Sequence, residues 1–322
     1  MVVVQVKLKN MINNFFVKKN IITYHRISNK TVNDPLSISL ETFEKQIKFL
    51  TNKFNIISLD KILDMDLPNG NYIAITFDDG YRDNLLNAVP ILEKYKAPAT
   101  IYITSRFLEG KCEMWWYEIK KFIDENELVN FIYNNKNYKF ILKSNKSKIK
   151  AFKQISSLFK KLKYQQQNKL LELITRNTQR IQYTNDLLNV DDLIKLNSKK
   201  LITLGAHTHN HVALSYLNDS ECLDELSTSK KIIEKIINKK VRHFAYPYGG
   251  EKEISGREPE VLKSLGYISA VTTQLNFVEK YKNYLLPRIY LSERDIGTFL
   301  ILKLTIFYKI YFFMRFKLFK IY

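Results

Sequence analysis

The sequence contains very little cysteine. Only Cys112 and Cys222 occur among its 322 residues, and they lie far apart. Two distant cysteines provide neither a framework of disulfides nor a thiolate metal site. We therefore expect a chain that folds in a reducing compartment. Hydrophobic residues make up 45% of the chain, which is enough for a full core in one barrel-sized domain.

Two further signals are missing. The N-terminal stretch 1–19 lacks the continuous apolar core and the small-residue cleavage site of a secretory signal. No Gly-rich dinucleotide-binding loop follows any of the predicted strands. The sequence therefore predicts a cytoplasmic protein, and the missing loop argues against an open doubly wound sheet.

Acidic residues are outnumbered. The chain has 51 Lys and Arg against 32 Asp and Glu, a formal net charge of +19. A basic surface favours an acidic partner, either nucleic acid or an anionic membrane. Because the lysines are spread rather than interleaved with stacking aromatic residues, and no nucleic-acid motif occurs, we do not expect nucleic acid as the partner.

Short apolar runs rich in β-forming residues recur along the chain. They lie at 20–25, 71–77, 98–104, 200–207, 241–247, 266–273 and 284–291. Helical spacing of apolar residues occurs between them, for example at 39–54 and 220–239. This alternation predicts an α/β fold, a (β/α) barrel of about seven parallel strands spanning 20–295. An open doubly wound sheet is the alternative.

Residues 111–190 interrupt the alternation. They contain a Trp-Trp pair, a hairpin pattern at 130–142 and a helical stretch rich in Lys and Gln. We interpret this segment as an insertion over one face of the barrel, where long connections often form lids or binding walls. A helical elaboration that only packs is the equally weighted alternative.

Polar residues collect where the predicted strands end. They are His25 after the first run, Asp78 and Asp79 after the second, His207 to His211 after the fourth, Tyr246 to Tyr248 after the fifth and Arg288 in the seventh. In a barrel of parallel strands these ends meet at one face, where functional residues are found. We therefore expect these side chains to share one site.

The segment Gly205 to His211 places His207 and His211 four residues apart, a spacing that puts two imidazoles on one face of a helical turn. Two imidazoles and a carboxylate can hold a divalent cation with positions left open for water and substrate. Of the adjacent Asp78 and Asp79, one can bind this cation while the other takes a proton from water. The alternatives are a chance cluster of histidines and an N-cap for a helix starting at residue 82 or 83.

Three motifs occur in order. ITFDDGYRDNLLNAVPILEKYKAPATIYIT, GAHTHNHVAL and FAYPYG resemble the motifs of the polysaccharide deacetylases, the NodB-homology domain or carbohydrate esterase family 4. The likeness runs from about His25 to about Ile289 and is weakest over 111–190. It implies a distorted (β/α) barrel and a metal-dependent hydrolase that removes an N-acetyl or O-acetyl group from a carbohydrate.

The resemblance also implies roles for single residues. Asp78 is the expected general base, and a backbone N–H near Tyr248 is expected to bind the oxyanion. The implied metal ligands are Asp79, His207 and His211. The expected metal is zinc, with cobalt or nickel as alternatives. His209 falls on an unconstrained position of the motif, so we do not expect it to be a ligand.

The chain departs from the family pattern in two places. Ala245 stands where the third motif often carries Arg, and we expect Arg288 to supply that charge and to orient Asp78. No histidine follows His243, so the usual late general acid is missing. His25 in ITYHRI is similar to the early Tyr-His of the exopolysaccharide N-deacetylase branch and is the expected acid, a core histidine being its alternative role. His243, in mid-strand, is expected to be structural.

The sequence is also compatible with two other functions. A carbohydrate O-acetyl esterase needs no strong acid because an alkoxide leaves more easily than an amide anion. A non-catalytic glycan-binding relative would keep the fold without the chemistry. Trp115 and Trp116 can stack on sugar rings or belong to the core.

Residues 296–322 form a C-terminal tail in which large aromatic residues alternate with Lys and Arg, most densely from Phe299 to Tyr322. No uninterrupted apolar stretch in this tail approaches the length of a transmembrane helix. The composition favours a segment on an anionic membrane surface, and a last helix packed on the barrel or on a partner subunit is the alternative. We expect an acetylated glycan or lipid-linked sugar as substrate at the inner face of the cell membrane.

Overall fold

The structure, a computed structural model, describes residues 18–29, 34–64, 66–110, 113–176, 183, 185–276, 278 and 282–305. Cys112 and residues 306–322 of the predicted tail lie outside these ranges. Cys222 is buried as a free thiol.

Strands and helices alternate along the chain. The strands are β1 (Lys19–Tyr24), β2 (Arg26–Ile27), β3 (Ser37–Ile38), β4 (Asn55–Ile56), β5 (Tyr72–Phe77), β6 (Ala99–Ile103), β7 (Leu128–Tyr133), β8 (Lys136–Ile141), β9 (Ile202–Ala206), β10 (His243–Ala245), β11 (Ser269–Val271) and β12 (Ile289–Tyr290). The helices are α1 (Leu40–Lys53), α2 (Leu59–Ile62), α3 (Val89–Lys94), α4 (Trp115–Glu125), α5 (Asn145–Phe159), α6 (Tyr164–Thr175), α7 (Val190–Asn197), α8 (Asp219–Ile237), α9 (Glu258–Ser264) and α10 (Gly297–Lys303).

One parallel sheet organises the molecule. Its strands follow the order β11-β10-β9-β6-β5-β1-β12, with β4 paired to β5 beside this path. All seven predicted runs supply a strand of this sheet, and the predicted barrel of parallel strands is confirmed. β5 is buried at every position. Because a strand covered on both faces needs apolar side chains on both, its sequence is an almost continuous apolar run.

The two edges of the sheet are joined by the segment that leads into β12. Ala270 in β11 exchanges hydrogen bonds with this segment, donating to Asn283 O at 2.8 Å and accepting from Leu286 N at 2.9 Å. A few residues later, Ile289 pairs with Ile22 of β1. The curled sheet therefore closes through one short stretch of chain, and that stretch carries Arg288.

Helix α1 illustrates how the sequence sets the outer layer. Ser39 caps its N-terminus by accepting a hydrogen bond from the backbone N–H of Thr42 at 3.2 Å. Phe43, Ile47 and Leu50 follow at helical spacing and are all buried against the sheet. The helix thus packs one apolar stripe on the barrel and exposes its charged residues.

The predicted insertion contains a separate small lobe. Helices α4, α5 and α6 and the hairpin β7–β8, within residues 113–176, enclose their own apolar cluster around Trp115, Phe131 and Phe159. The hairpin turns at Asn134 and Asn135, both with positive φ (49° and 59°), as a two-residue turn requires. The lobe therefore carries its own core and presents α4 to the barrel.

The start of the predicted tail packs on the barrel. In α10, Leu300 is buried in the main core, and Lys303 donates to Asp295 Oδ2 at 2.7 Å. The neighbouring Phe299 is 70% exposed. In the part of the chain that the structure describes, no helix is long and apolar enough to span a bilayer.

Gly205 in β9 leaves no space for a side chain. A Cβ atom built there would lie 2.9 Å from His243 O and 2.7 Å from Cε1 of the Tyr102 ring, and it would also overlap Cδ1 of that ring. We expect Gly205→Ala to lower the free energy of unfolding by about 1–3 kcal/mol through overpacking. Gly256→Ala is the matched control because nothing lies within 4 Å of its Cβ position. Urea denaturation measures both, and equal stabilities for the two variants would contradict this account of the strand.

Candidate metal site and active site

The carboxyl-terminal ends of β5 and β9 place acids and histidines at one face of the barrel, here called the mouth. Asp78 and Asp79 directly follow β5, and His207 directly follows β9. The two strands are separated only by β6. Asp79 and Gly80 both have positive φ (73° and 83°), so the chain turns sharply after the strand.

Asp79, His207 and His211 form a compact buried cluster. Asp79 Oδ1 lies 3.2 Å from Nε2 of His207 and 3.2 Å from Nε2 of His211. One ligand atom from each residue lies within 4.8 Å of the other two. Their side chains are 2–8% exposed. The structure thus brings together the three residues that the resemblance implies as metal ligands.

The turn that carries the two histidines is not the helical turn that their spacing predicts. Residues 207–211 are irregular, and Thr208 and His211 have positive φ (62° and 54°). The prediction of a helical turn was wrong because tertiary hydrogen bonds determine the path here. Ser105 N donates to Thr208 O at 3.2 Å, and Glu225 Oε2 accepts from the N–H groups of His209 and Asn210 at 2.9 Å each.

The hydrogen bond of His207 identifies its free nitrogen. Its Nδ1 lies 2.7 Å from Ala245 O. A carbonyl only accepts, so Nδ1 carries a proton, and Nε2 is the ring nitrogen that faces Asp79. Fixing one ring nitrogen in this way is how ligating histidines are usually held.

These residues fit a divalent cation. Asp79 Oδ1 is buried and makes no hydrogen bond of good geometry within the described residues, although two imidazole nitrogens face it. A single cation bound by Asp79 Oδ1 and both Nε2 atoms would satisfy all three ligand atoms at once. Burial raises the pKa of Asp79, but the imidazoles of His211 and His207 bring it well below its usual value. One carboxylate and two imidazoles are typical ligands of zinc and similar cations.

Asp78 is held by a buried ion pair. Arg288 Nη1 donates to its Oδ1 at 2.7 Å, and Arg288 Nη2 donates to its Oδ2 at 2.6 Å. Burial raises the pKa of Asp78, but the guanidinium of Arg288 outweighs burial and leaves this pKa below its usual value. Arg288 thus occupies the position we predicted for it, next to Asp78, while Ala245 contributes only its backbone carbonyl to the site.

Three further hydrogen bonds hold the Arg288 side chain in position. Its Nε donates to Thr272 O at 2.9 Å, and its Nη1 reaches the hydroxyls of Thr23 at 3.0 Å and Thr76 at 3.2 Å. These two threonines, from β1 and β5, were not predicted as site residues. Threonine is ordinary in strands, so the sequence carried no signal that would have found them.

His25 lies beside Asp78 at the mouth. Its Nε2 is 3.9 Å from Asp78 Oδ2, and its side chain is 18% exposed. Its ring packs edge-on against Tyr290 with centroids 5.9 Å apart. A partly exposed imidazole near the carboxylate can contact a bound substrate, which a fully buried core histidine cannot do.

Tyr248 follows β10 and lies against the histidine cluster. Its hydroxyl donates to His211 O at 3.3 Å, and its ring centroid is 5.0 Å from that of His211. Its φ is 62°, so the chain reverses here, and Thr273 Oγ1 donates to its carbonyl at 2.6 Å. Tyr248 therefore lies at the mouth, where we expected it.

Two other histidines lie apart from the cluster. His209 Nδ1 is 2.8 Å from Ser105 Oγ, and its Nε2 is 3.3 Å from Arg106. His243 is buried in β10, and its Nδ1 is 2.8 Å from Ser269 Oγ. Neither belongs to the group of residues that could share a cation.

The chain resembles known proteins in sequence and in fold. The sequence model of the polysaccharide deacetylase family matches residues 67–269, and the chain therefore belongs to this family. YxkH of Bacillus subtilis (strain 168), which is named as a polysaccharide deacetylase, is 31% identical over 109 residues. That match spans 32% of this chain and 38% of the relative.

Solved structures share the fold. The Streptococcus pyogenes deacetylase PplD, solved in complex with acetate, superposes with a TM-score of 0.60 at 18% identity, covering 90% of this chain and 99% of that one. A de-N-acetylase from Aggregatibacter actinomycetemcomitans gives a TM-score of 0.54 at 16% identity, with 88% and 98% covered. At these identities the likeness establishes the architecture alone.

The ion pair of Arg288 with Asp78 predicts a large stability effect. We expect Arg288→Met to lower the free energy of unfolding by about 3–5 kcal/mol, because it leaves a buried carboxylate without its partner. Adding Asp78→Asn removes that charge, so the double variant is expected to be more stable than Arg288→Met alone. Urea denaturation of the metal-free protein measures this cycle.

The control for this cycle is the exposed pair of Arg242 and Asp60. Arg242→Met is expected to cost less than about 1 kcal/mol, since solvent screens surface pairs. If Arg288→Met and Arg242→Met cost the same, the proposed importance of the buried pair is wrong.

Proposed function

We propose that this chain is a metal-dependent carbohydrate N-deacetylase, which hydrolyses an N-acetyl group on a sugar of a polysaccharide or lipid-linked glycan. The observation that carries the proposal is the division of the adjacent acids. Asp79 faces two imidazole nitrogens, whereas Asp78 is turned to Arg288. Membership of the polysaccharide deacetylase family and a family relative named as a de-N-acetylase support it.

In this proposal Asp79, His207 and His211 hold one divalent cation, zinc being the first candidate. A bound zinc ion polarises a carbonyl oxygen and lowers the pKa of a coordinated water to about 7. Because the pKa of Asp78 lies below its usual value, this carboxylate is ionised and able to accept a proton. Arg288 keeps Asp78 ionised and oriented.

The remaining residues act on the substrate. Asp78 takes a proton as the oxygen of water bonds to the acetyl carbonyl carbon. A backbone N–H near Tyr248 donates to the carbonyl oxygen, which gains negative charge. When the carbon–nitrogen bond breaks, the amine nitrogen needs a proton, and we assign this step to His25. Acetate and the free amine of the sugar leave.

The function is tested by acetate release from N-acetylated chito-oligosaccharides and poly-N-acetylglucosamine. We expect release by the zinc-loaded protein, loss of release after EDTA treatment, and recovery with zinc, cobalt or nickel. Asp78→Asn should lower the rate by at least about 10²-fold because the general base is missing. His209→Ala, a change of a histidine in the same loop, should release acetate near the wild-type rate. Absence of acetate from every acetylated glycan tested would move the assignment to a glycan-binding protein.

His25 distinguishes amide from ester chemistry. An amide nitrogen needs a proton to leave, whereas an alkoxide leaves more readily. We expect His25→Ala to lower N-acetyl hydrolysis by about 10²–10⁴-fold and to affect hydrolysis of an O-acetyl ester much less. The two substrates are compared on the same protein, so each controls for misfolding. Near-normal N-acetyl turnover in His25→Ala would show that another group is the acid.

We also propose that the protein binds the inner face of the cell membrane through its tail. Ile296, Phe299 and Leu302 expose apolar side chains at the start of this tail. The sequence beyond them continues with aromatic residues and Lys309, Arg315, Lys317 and Lys320. Aromatic and basic residues together suit the interface of an anionic bilayer, where each basic residue contributes about 1 kcal/mol.

Deletion of residues 306–322 tests the membrane proposal. The full chain should sediment with phosphatidylglycerol vesicles and only weakly with phosphatidylcholine vesicles. The variant that lacks residues 306–322 should stay in solution and should still release acetate from a water-soluble oligosaccharide. Equal sedimentation of both proteins would count against a role of the tail.

A further inference from the structure

The two tryptophans at the start of α4 have different surroundings. Trp115 is buried in the lobe, where its ring stacks on Phe159 at 4.5 Å with an interplanar angle of 15°. Its Nε1 donates to the Tyr248 hydroxyl at 3.3 Å. Both its apolar face and its polar atom thus have partners, which is the arrangement of a core residue.

Trp116 faces the mouth instead. Its ring centroid lies 5.0 Å from that of His211, one of the candidate metal ligands, and the side chain is partly exposed. Its Nε1 atom is buried and makes no hydrogen bond to any residue that the structure describes. Buried indole N–H groups usually have an acceptor, and leaving one without costs about 1–3 kcal/mol. Because Nε1 is inaccessible, a ligand in the mouth would meet the carbon atoms of the indole ring.

Aromatic rings surround His211. Phe107 stacks near it at 6.0 Å, and Tyr248 meets it edge-on at 5.0 Å, with Trp116 completing the wall. This wall adjoins the position at which Asp79 and the histidines meet. It suits a ligand that combines an apolar face with polar oxygens, such as a pyranose ring bearing an acetamido group.

We propose that Trp116 is a substrate-binding residue of the mouth. Its indole covers the C–H face of the N-acetylated sugar whose acetyl group lies at the Asp79, His207 and His211 cluster. The lobe therefore contributes directly to substrate recognition, and the insertion supplies specificity to the barrel. The inference rests on the proposed function, since it names the ligand of the same site.

The test uses the fact that the chain has only two tryptophans. In an Asp78→Asn background that prevents turnover, Trp115→Phe leaves Trp116 as the sole indole fluorophore, and Trp116→Phe leaves Trp115. Each zinc-loaded protein is titrated with tri-N-acetylchitotriose. We expect a saturable change of emission in the Trp115→Phe protein and none in the Trp116→Phe protein.

Affinities separate substrate binding from support of the metal site. We expect Trp116→Ala to raise the Kd for tri-N-acetylchitotriose about tenfold by calorimetry, the size of a 1.4 kcal/mol contact. The Kd for zinc should change less than about twofold. A large loss of zinc affinity would show that Trp116 only supports His211, and an unchanged chitotriose Kd would refute the contact. If the wild-type protein releases no acetate from any acetylated glycan, the proposed function itself is refuted.

Discussion

The structure depends most on the buried ion pair between Arg288 and Asp78. It joins the segment that closes the barrel to the end of a central strand, and its two hydrogen bonds of 2.7 and 2.6 Å fix the carboxylate at the mouth. A buried charge without a partner is costly, so each residue requires the other. Closure of the barrel and orientation of the Asp78 carboxylate are therefore one constraint.

The same pair explains why neighbouring acids can differ in role. Asp78 is bound on both oxygens by one guanidinium, whereas Asp79, turned away by a positive φ of 73°, faces His207 and His211. Arg288 neutralises the charge of Asp78 on one side, and a cation bound by the histidine cluster would neutralise that of Asp79 on the other. Arg288 is present in the fold itself, and the second cation is the one we assign to the histidine cluster.

Much of this arrangement could be predicted from sequence because strands buried on both faces leave continuous apolar runs that end in polar residues. The pairing of Arg288 with Asp78 was predicted from a charge missing at Ala245. The path of residues 207–211 was not, since spacing alone suggests a helix while Glu225 and neighbouring loops impose left-handed residues. The different surroundings of Trp115 and Trp116 could not be read from adjacent identical letters either.

The central claim is that Asp79, His207 and His211 hold the metal while Asp78 stays free of it. Anomalous diffraction at the zinc absorption edge, from crystals of the zinc-loaded protein, tests this most directly. The account predicts one peak, with one carboxylate oxygen and two Nε2 atoms about 2.0–2.2 Å from it and Asp78 still paired with Arg288. A peak ligated by His209, or by Asp78 in place of Asp79, would contradict it.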